Sequence, residues 1–208
     1  MEKIAQILNP IFRRLPTWPV YVGGVLPAAF YFYWAITNQL GVDPLQVLER
    51  QLGEWGLQLL ILGLLVTPLR KFAGISLLKF RRAFGLLAFF YISLHLLIWI
   101  VLDKQFFWAE ILRDLTKRPY IILGMLGFTL LIPLAITSNL VSLRRLGAKS
   151  WNRLHKLVYP AILLGAVHYL LVVKVWESEP MIYLGVVLIL LFLRLPMVNR
   201  RKSRRVAA

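Results

Sequence analysis

The sequence holds three histidines and no cysteine, and every histidine falls in or beside a long apolar run. His95 stands in FYISLHLLIWI, and His155 and His168 stand in RLHKLVYPAILLGAVHYLL. An ionisable side chain at membrane depth is costly to bury unless it is paired, so such residues are functional candidates by default. A single one is also explained by a hydrogen bond to a neighbouring helix. Two at matched depth on separate helices point to axial ligation of one iron by two imidazoles, the arrangement of a b-type heme. Without cysteine, disulfides, thiolate metal sites, iron-sulfur clusters and CxxCH heme attachment are excluded, so any heme is held non-covalently.

The elements that must position these residues are membrane spans. The chain has 208 residues, 59% hydrophobic and 16% charged, whereas soluble domains are roughly half apolar and a quarter charged. Crossing a hydrocarbon core of ~30 Å takes ~20 apolar residues. Six stretches approach that length, at about 18–37, 52–69, 83–102, 119–137, 156–175 and 181–197. The expected fold is therefore all-α: one domain over residues 1–208, a polytopic membrane bundle of six transmembrane helices, with heme between helices three and five and a basic tail at 198–208. The first span follows a basic leader and lacks a small-residue cleavage site, which reads as a retained helix. Its Pro27 predicts a kink.

The net charge of +16 invites a nucleic-acid reading, but its distribution answers differently. Lys3, Arg13 and Arg14; Arg70, Lys71, Lys79, Arg81 and Arg82; Arg144, Arg145, Lys149, Arg153 and Lys156; and the tail from Arg194 through Arg205 all fall on one side of the alternating loops. The opposite side carries Arg50, Lys104, Arg113, Lys117, Arg118 and Lys174 and nearly all the acids. The positive-inside rule then places both termini in the cytoplasm, where the cations face anionic lipid. No nucleic-acid partner is needed.

With that orientation spans three and five run the same way, and His95 and His168 each lie about seven residues from the outer end. Gly165, one turn before His168, would let a porphyrin approach the backbone, and Gly85 and Ala88 would do the same on span three; ordinary small-residue helix packing explains them equally well. His155 lies about 20 Å lower than His168 at ~1.5 Å per residue, near the cytoplasmic face. Arg81 occupies the corresponding level of span three, so a second site there would use His155 as ligand, with Arg81 as a weak ligand or as partner of a propionate or phosphate. Glu54 and Gln58 form a polar i, i+4 pair on span two. The segment from Phe106 to Leu115 sets Phe106, Phe107, Trp108, Ile111, Leu112 and Leu115 among charges, the pattern of a short interfacial amphipathic helix or of an aromatic belt, and in the sharper reading a docking surface for an extracytoplasmic partner.

No glycine-rich dinucleotide turn follows a strand, so the chain cannot oxidise NAD(P)H on a standard fold. No nucleophile triad or facing carboxylate pair is present at depth.

The run RRAFGLLAFFYISLHLLIW and the run KSWNRLHKLVYPAILLGAVHYLL, with its W-x-x-L-H-x-x-x-Y-P core, resemble the MsrQ (YedZ) family, the heme-binding membrane subunits of the bacterial periplasmic protein-methionine-sulfoxide reductase system. More distantly, the chain resembles the transmembrane domains of ferric reductases and NADPH oxidases. The resemblance implies a multi-pass protein of the cell inner membrane. It would take electrons from the quinone pool or a cytosolic flavin reductase and pass them through heme b to a periplasmic molybdopterin catalytic subunit, which repairs oxidised methionines in envelope proteins. It also implies FMN. Carried over by position, His95 and His168 would hold the heme, with His155 and Arg81 serving the cytoplasmic side. Span three offers one histidine where four-histidine relatives offer two, so one heme is expected, and a second only if Arg81 or another group substitutes. Two other readings stay open at this level: a stand-alone transmembrane ferric or cupric reductase, and a heme-free permease or scaffold.

Overall fold

A computed structural model describes residues 2–173 and 177–194. The basic tail at 198–208 and Lys174 lie outside the described residues, as do the last residues predicted for spans five and six. Among the described residues the chain is all-helical, a polytopic membrane bundle. Its helices are α1 (Glu2–Arg14), α2 (Trp18–Ile36), α3 (Pro44–Pro68), α4 (Arg81–Ile98), α5 (Trp108–Lys117), α6 (Pro119–Ile136), α7 (Leu140–Leu154), α8 (Val158–Val172) and α9 (Ser178–Phe192). One wide turn, Leu69–Ala73, prolongs α3, another, Trp99–Asp103, prolongs α4, and a tight turn, His155–Leu157, joins α7 to α8. Among the described residues five helical stretches are long and apolar enough to cross a membrane, and α9 is a shorter apolar helix.

Several boundaries differ from the sequence expectation, each for a local reason. The second span starts at Pro44 and not near residue 52, because Asp43 caps it by accepting from the Gln46 N–H at 3.0 Å and Pro44 pre-sets the first helical residue. Its first two turns, PLQVLERQ, are too polar to register as hydrophobic, yet Leu48 within them and Leu52 just after them are buried. The far end reaches Ala73 and stops at Gly74, whose φ of +72° only glycine adopts freely. Arg194, counted with the basic tail, is buried at the end of the bundle. Its guanidinium donates to the Leu64 carbonyl, to Thr67 and, at 3.0 Å, to the Tyr159 hydroxyl.

The basic leader is not extended: it forms α1, an amphipathic helix held to the α3–α4 loop. Asn9 donates to the Gly74 carbonyl and accepts from the Ser76 N–H, and Phe12 meets Phe80 edge-on.

Helix α3 is the centre of the bundle. It buries Leu52, Leu57, Leu60 and Leu64 against α4, α8 and α9, and its neighbours contribute Leu87, Tyr91, Ile162, Ala166 and Val187. Apolar side chains facing outward, such as Phe30, Leu188, Ile189 and Phe192, have lipid for solvent, so helix association here depends on close packing and interhelical hydrogen bonds more than on escape from water. One such bond explains the proline of α2. The Tyr91 hydroxyl accepts from the Ala28 N–H at 3.1 Å and donates to the Gly24 carbonyl at 2.7 Å, entering the backbone ladder right after Pro27.

The expected amphipathic segment is α5, starting two residues later than predicted. Phe107, Trp108 and Leu112 are exposed, while Ile111 and Asp114 are buried. Asp114 gathers Lys104 at 3.2 Å and Arg118 at 2.9 Å, joining the end of α4 to the start of α6. Burial works against the Lys104 charge, but the carboxylates of Asp103 and Asp114 outweigh it and hold its amine above the usual lysine range.

Candidate functional site

His95 and His168 come together between α4 and α8, with ring centres 6.1 Å apart and ring planes crossed at 81°. Each is oriented by a backbone carbonyl of a different neighbouring helix. His95 Nδ1 donates to the Glu49 carbonyl of α3 at 2.9 Å, and His168 Nδ1 donates to the Tyr120 carbonyl of α6 at 2.7 Å. A carbonyl only accepts, so Nδ1 carries the proton and Nε2 of the neutral ring keeps its lone pair. Neither Nε2 has a hydrogen-bond partner among the described residues. A carbonyl on one ring nitrogen fixing the tautomer of the other is the usual support of a metal-ligating histidine.

The geometry fits a heme. At metal–nitrogen lengths of about 2 Å, two axial imidazoles on opposite sides of one iron place their ring centres roughly 6 Å apart. Glycines cradle both rings from behind. A Cβ at Gly124 of α6 would lie 2.9 Å from His168 Nδ1, and one at Gly53 of α3 would lie 3.2 Å from His95 Nδ1. The helices holding the carbonyls can therefore press directly on the rings. Of the small residues expected to pack a cofactor, Gly165 has only a Leu57 methyl at 4.0 Å and Gly85 has open space, whereas Ala88 is fully buried within the apolar core.

His155 is placed differently. It sits in the tight turn between α7 and α8, its ring stacked on Trp151 at 3.7 Å. Its Nε2 lies 3.0 Å from Thr137 Oγ1. That hydroxyl lies 2.6 Å from the Pro133 carbonyl and gives its single proton to it, so the histidine is the donor and its Nε2 is engaged. Arg81 is exposed, and no hydrogen bond joins it to His155 among the described residues. The tight turn His155–Leu157 sets His155 off from α8, the helix that carries His168. Among the described residues no group of three or more His, Asp or Glu could hold a metal ion.

The polar pair expected on the second span does not form. Gln58 donates to the Tyr183 hydroxyl at 2.7 Å, and Glu54 accepts from Arg50 at 2.9 Å, from Gln51 at 3.1 Å and from Tyr169 at 2.5 Å. Sequence reasoning also missed Gly53, Gly124 and the carbonyls of Glu49 and Tyr120. Of these only the glycines carry a sequence signal, as small residues in spans adjoining the histidine helices.

Comparison with known proteins gives consistent matches. Residues 52–166 match the family described as ferric reductase like transmembrane component. The chain is 49% identical over 187 residues, 89% of its length and 84% of the relative's, to the protein-methionine-sulfoxide reductase heme-binding subunit MsrQ of Brucella ovis. The subunits of the same name from Brucella canis and from Brucella melitensis biotype 2 match to the same extent.

Proposed function

Because the chain belongs to the MsrQ family of heme-binding subunits, within the ferric reductase-like transmembrane components, we propose that it is a membrane electron-transfer subunit holding one heme b between His95 and His168. The observation that carries this reading is the pairing of two imidazoles 6.1 Å apart, each with Nδ1 tied to a helix carbonyl and Nε2 left to ligate. When bound, the heme supplies a one-electron carrier. The chain's own residues hold the rings in fixed tautomers, back them with Gly53 and Gly124, and keep water from the site with the surrounding apolar helices. A second heme on His155 would first require its Nε2 to leave Thr137.

In this reading both termini face the cytoplasm of a bacterial inner membrane. The electron comes from the quinone pool or a cytosolic flavin reductase, and leaves toward a periplasmic molybdopterin subunit that reduces methionine sulfoxide; the names of the relatives support the last step. FMN is carried from the resemblance alone. The purified protein in detergent is expected to give a b-type band in its reduced-minus-oxidised visible spectrum, and the absence of that band would remove the reading.

The exit side suits α5. Gln105 and Phe106 take positive φ values of 45° and 60°, which is strained for a bulky residue, and they present Phe107 and Trp108 outward. Aromatic anchors dominate many protein interfaces. Changing Phe107 and Trp108 to serine is expected to weaken association with the periplasmic subunit at least about tenfold, read as the concentration of that subunit needed for half-maximal reoxidation of the heme. Unchanged half-saturation would rule out α5 as the docking element.

A further inference from the structure

Glu54 is a buried carboxylate inside the bundle, 7% exposed, on the turn of α3 that also carries the two groups holding His95. Glu49 supplies the carbonyl that accepts from the His95 ring, and Gly53 is the residue backing it. Glu54 itself reaches α8, the helix that carries His168. It accepts from Tyr169, the residue after His168, at 2.5 Å. Arg50, one turn back, donates to Glu54 at 2.9 Å and to the Tyr169 hydroxyl at 3.3 Å, and it pairs with Glu177 and Glu179 at the start of α9. Gln51 donates to the second oxygen of Glu54. The carboxylate is thus supplied with donors as an anion, and it cross-ties α3 and α8 at the level of the histidine pair.

A charged group kept inside a membrane bundle asks for a role. Packing alone does not need an anion here, since a neutral amide of the same shape would fill the same space. What an anion adds is a field. Around a heme, outer hydrogen bonds, local charge and low dielectric are the levers that set the reduction potential, and a unit charge acts far more strongly in that medium than in water. Reduction brings in an electron, so a nearby carboxylate opposes it and a nearby guanidinium favours it.

We propose that Glu54, held by Arg50 and Tyr169, is a positioning residue for the heme between His95 and His168: it fixes α8, which carries His168, against α3, whose Glu49 carbonyl orients His95, and it lowers the reduction potential of the site. The proposal rests on the heme reading above, so its test is chosen to fail separately. The full chain is purified in detergent as native protein, Glu54→Gln, Arg50→Gln and Tyr169→Phe, and each is titrated potentiometrically on its b-type band. The potential rises in Glu54→Gln and falls in Arg50→Gln, opposite shifts that a loss of packing does not produce. Tyr169→Phe keeps both charges but cuts the tie, so it alters the low-spin electron paramagnetic resonance signal, which reports the orientation of the axial rings, more than it alters the potential. If Glu54→Gln does not hold heme, the half-exposed Arg50→Gln decides by the sign of its shift. A b-type band present in the variants with the potential of native protein, or potentials moving in the same direction in both charge variants, overturns the proposal. A native protein with no b-type band overturns the underlying reading instead.

Discussion

Replacing either His95 or His168 with alanine is expected to remove the b-type band almost entirely, while His155→Ala leaves most of it. The two losses follow from the same geometry. In the proposed site each ring would supply one nitrogen to the iron, and its Nδ1 is already committed to a helix carbonyl. Among the described residues no group of three or more His, Asp or Glu offers another metal site. Disturbing an outer-shell partner of a metal ligand costs about 10–100-fold in affinity, so deleting the ligand itself costs more than that. His155 differs because its Nε2 is spent on Thr137 and its ring on Trp151. Retained heme per protein, measured after size-exclusion chromatography, checks all three variants. A full band in both His95→Ala and His168→Ala would mean that the heme has other ligands. Comparable loss in His155→Ala would restore the inner site to the ligand set.

Much of the bundle was legible because lipid imposes a simple rule on sequence. Where a span is uniformly apolar, as in α6 and α8, hydropathy located it within a few residues. Where a helix is buried in protein and not in lipid, the rule loses its grip. The first three turns of α3 set the polar Arg50 and Glu54 beside the apolar Leu48 and Leu52, so hydropathy begins the span eight residues late. The amphipathic α1 was read only as a basic leader, since a helix lying along an interface has no long apolar run to announce it.

The site was legible to the extent that chemistry is carried by rare residue types. Histidine is scarce and conspicuous, so the depth argument brought His95 and His168 to one level, and the folded chain brings their rings to 6.1 Å. The orienting groups are main-chain carbonyls of Glu49 and Tyr120, and no side-chain pattern marks a carbonyl. Glu54 stands out in the sequence, but the i, i+4 rule that pairs it with Gln58 looks only along one helix, whereas Tyr169 lies 115 positions away. His155 is legible as a residue, while its hydrogen bond to Thr137 through Nε2 is visible only in the folded chain.

Gly124→Ala should cause the largest loss of heme among substitutions that touch no ligand. The added methyl would stand 2.9 Å from Nδ1 and 3.0 Å from Cε1 of His168, inside van der Waals contact, and those are atoms of a stiff ring and not of a flexible chain end. Helix α6 cannot yield easily, because Gly127, one turn on, already packs against the Ala161 carbonyl region of α8. The ring must therefore rotate away, which stretches its 2.7 Å bond to the Tyr120 carbonyl and turns Nε2 off axis. The expected cost is about 10–100-fold in heme affinity, the range for losing an outer-shell partner. Gly53→Ala meets His95 at 3.2 Å and a few tenths of an ångström relieve it, so its effect is smaller. Gly185→Ala in α9 meets nothing within 4 Å, and alanine favours helix over glycine by up to about 1 kcal/mol, so that variant keeps its heme and gains stability. Heme titration of the three apo-proteins in detergent should rank them with Gly124→Ala weakest and Gly185→Ala like native. Equal affinities across the three would show that the glycine behind His168 is not what holds its ring in place.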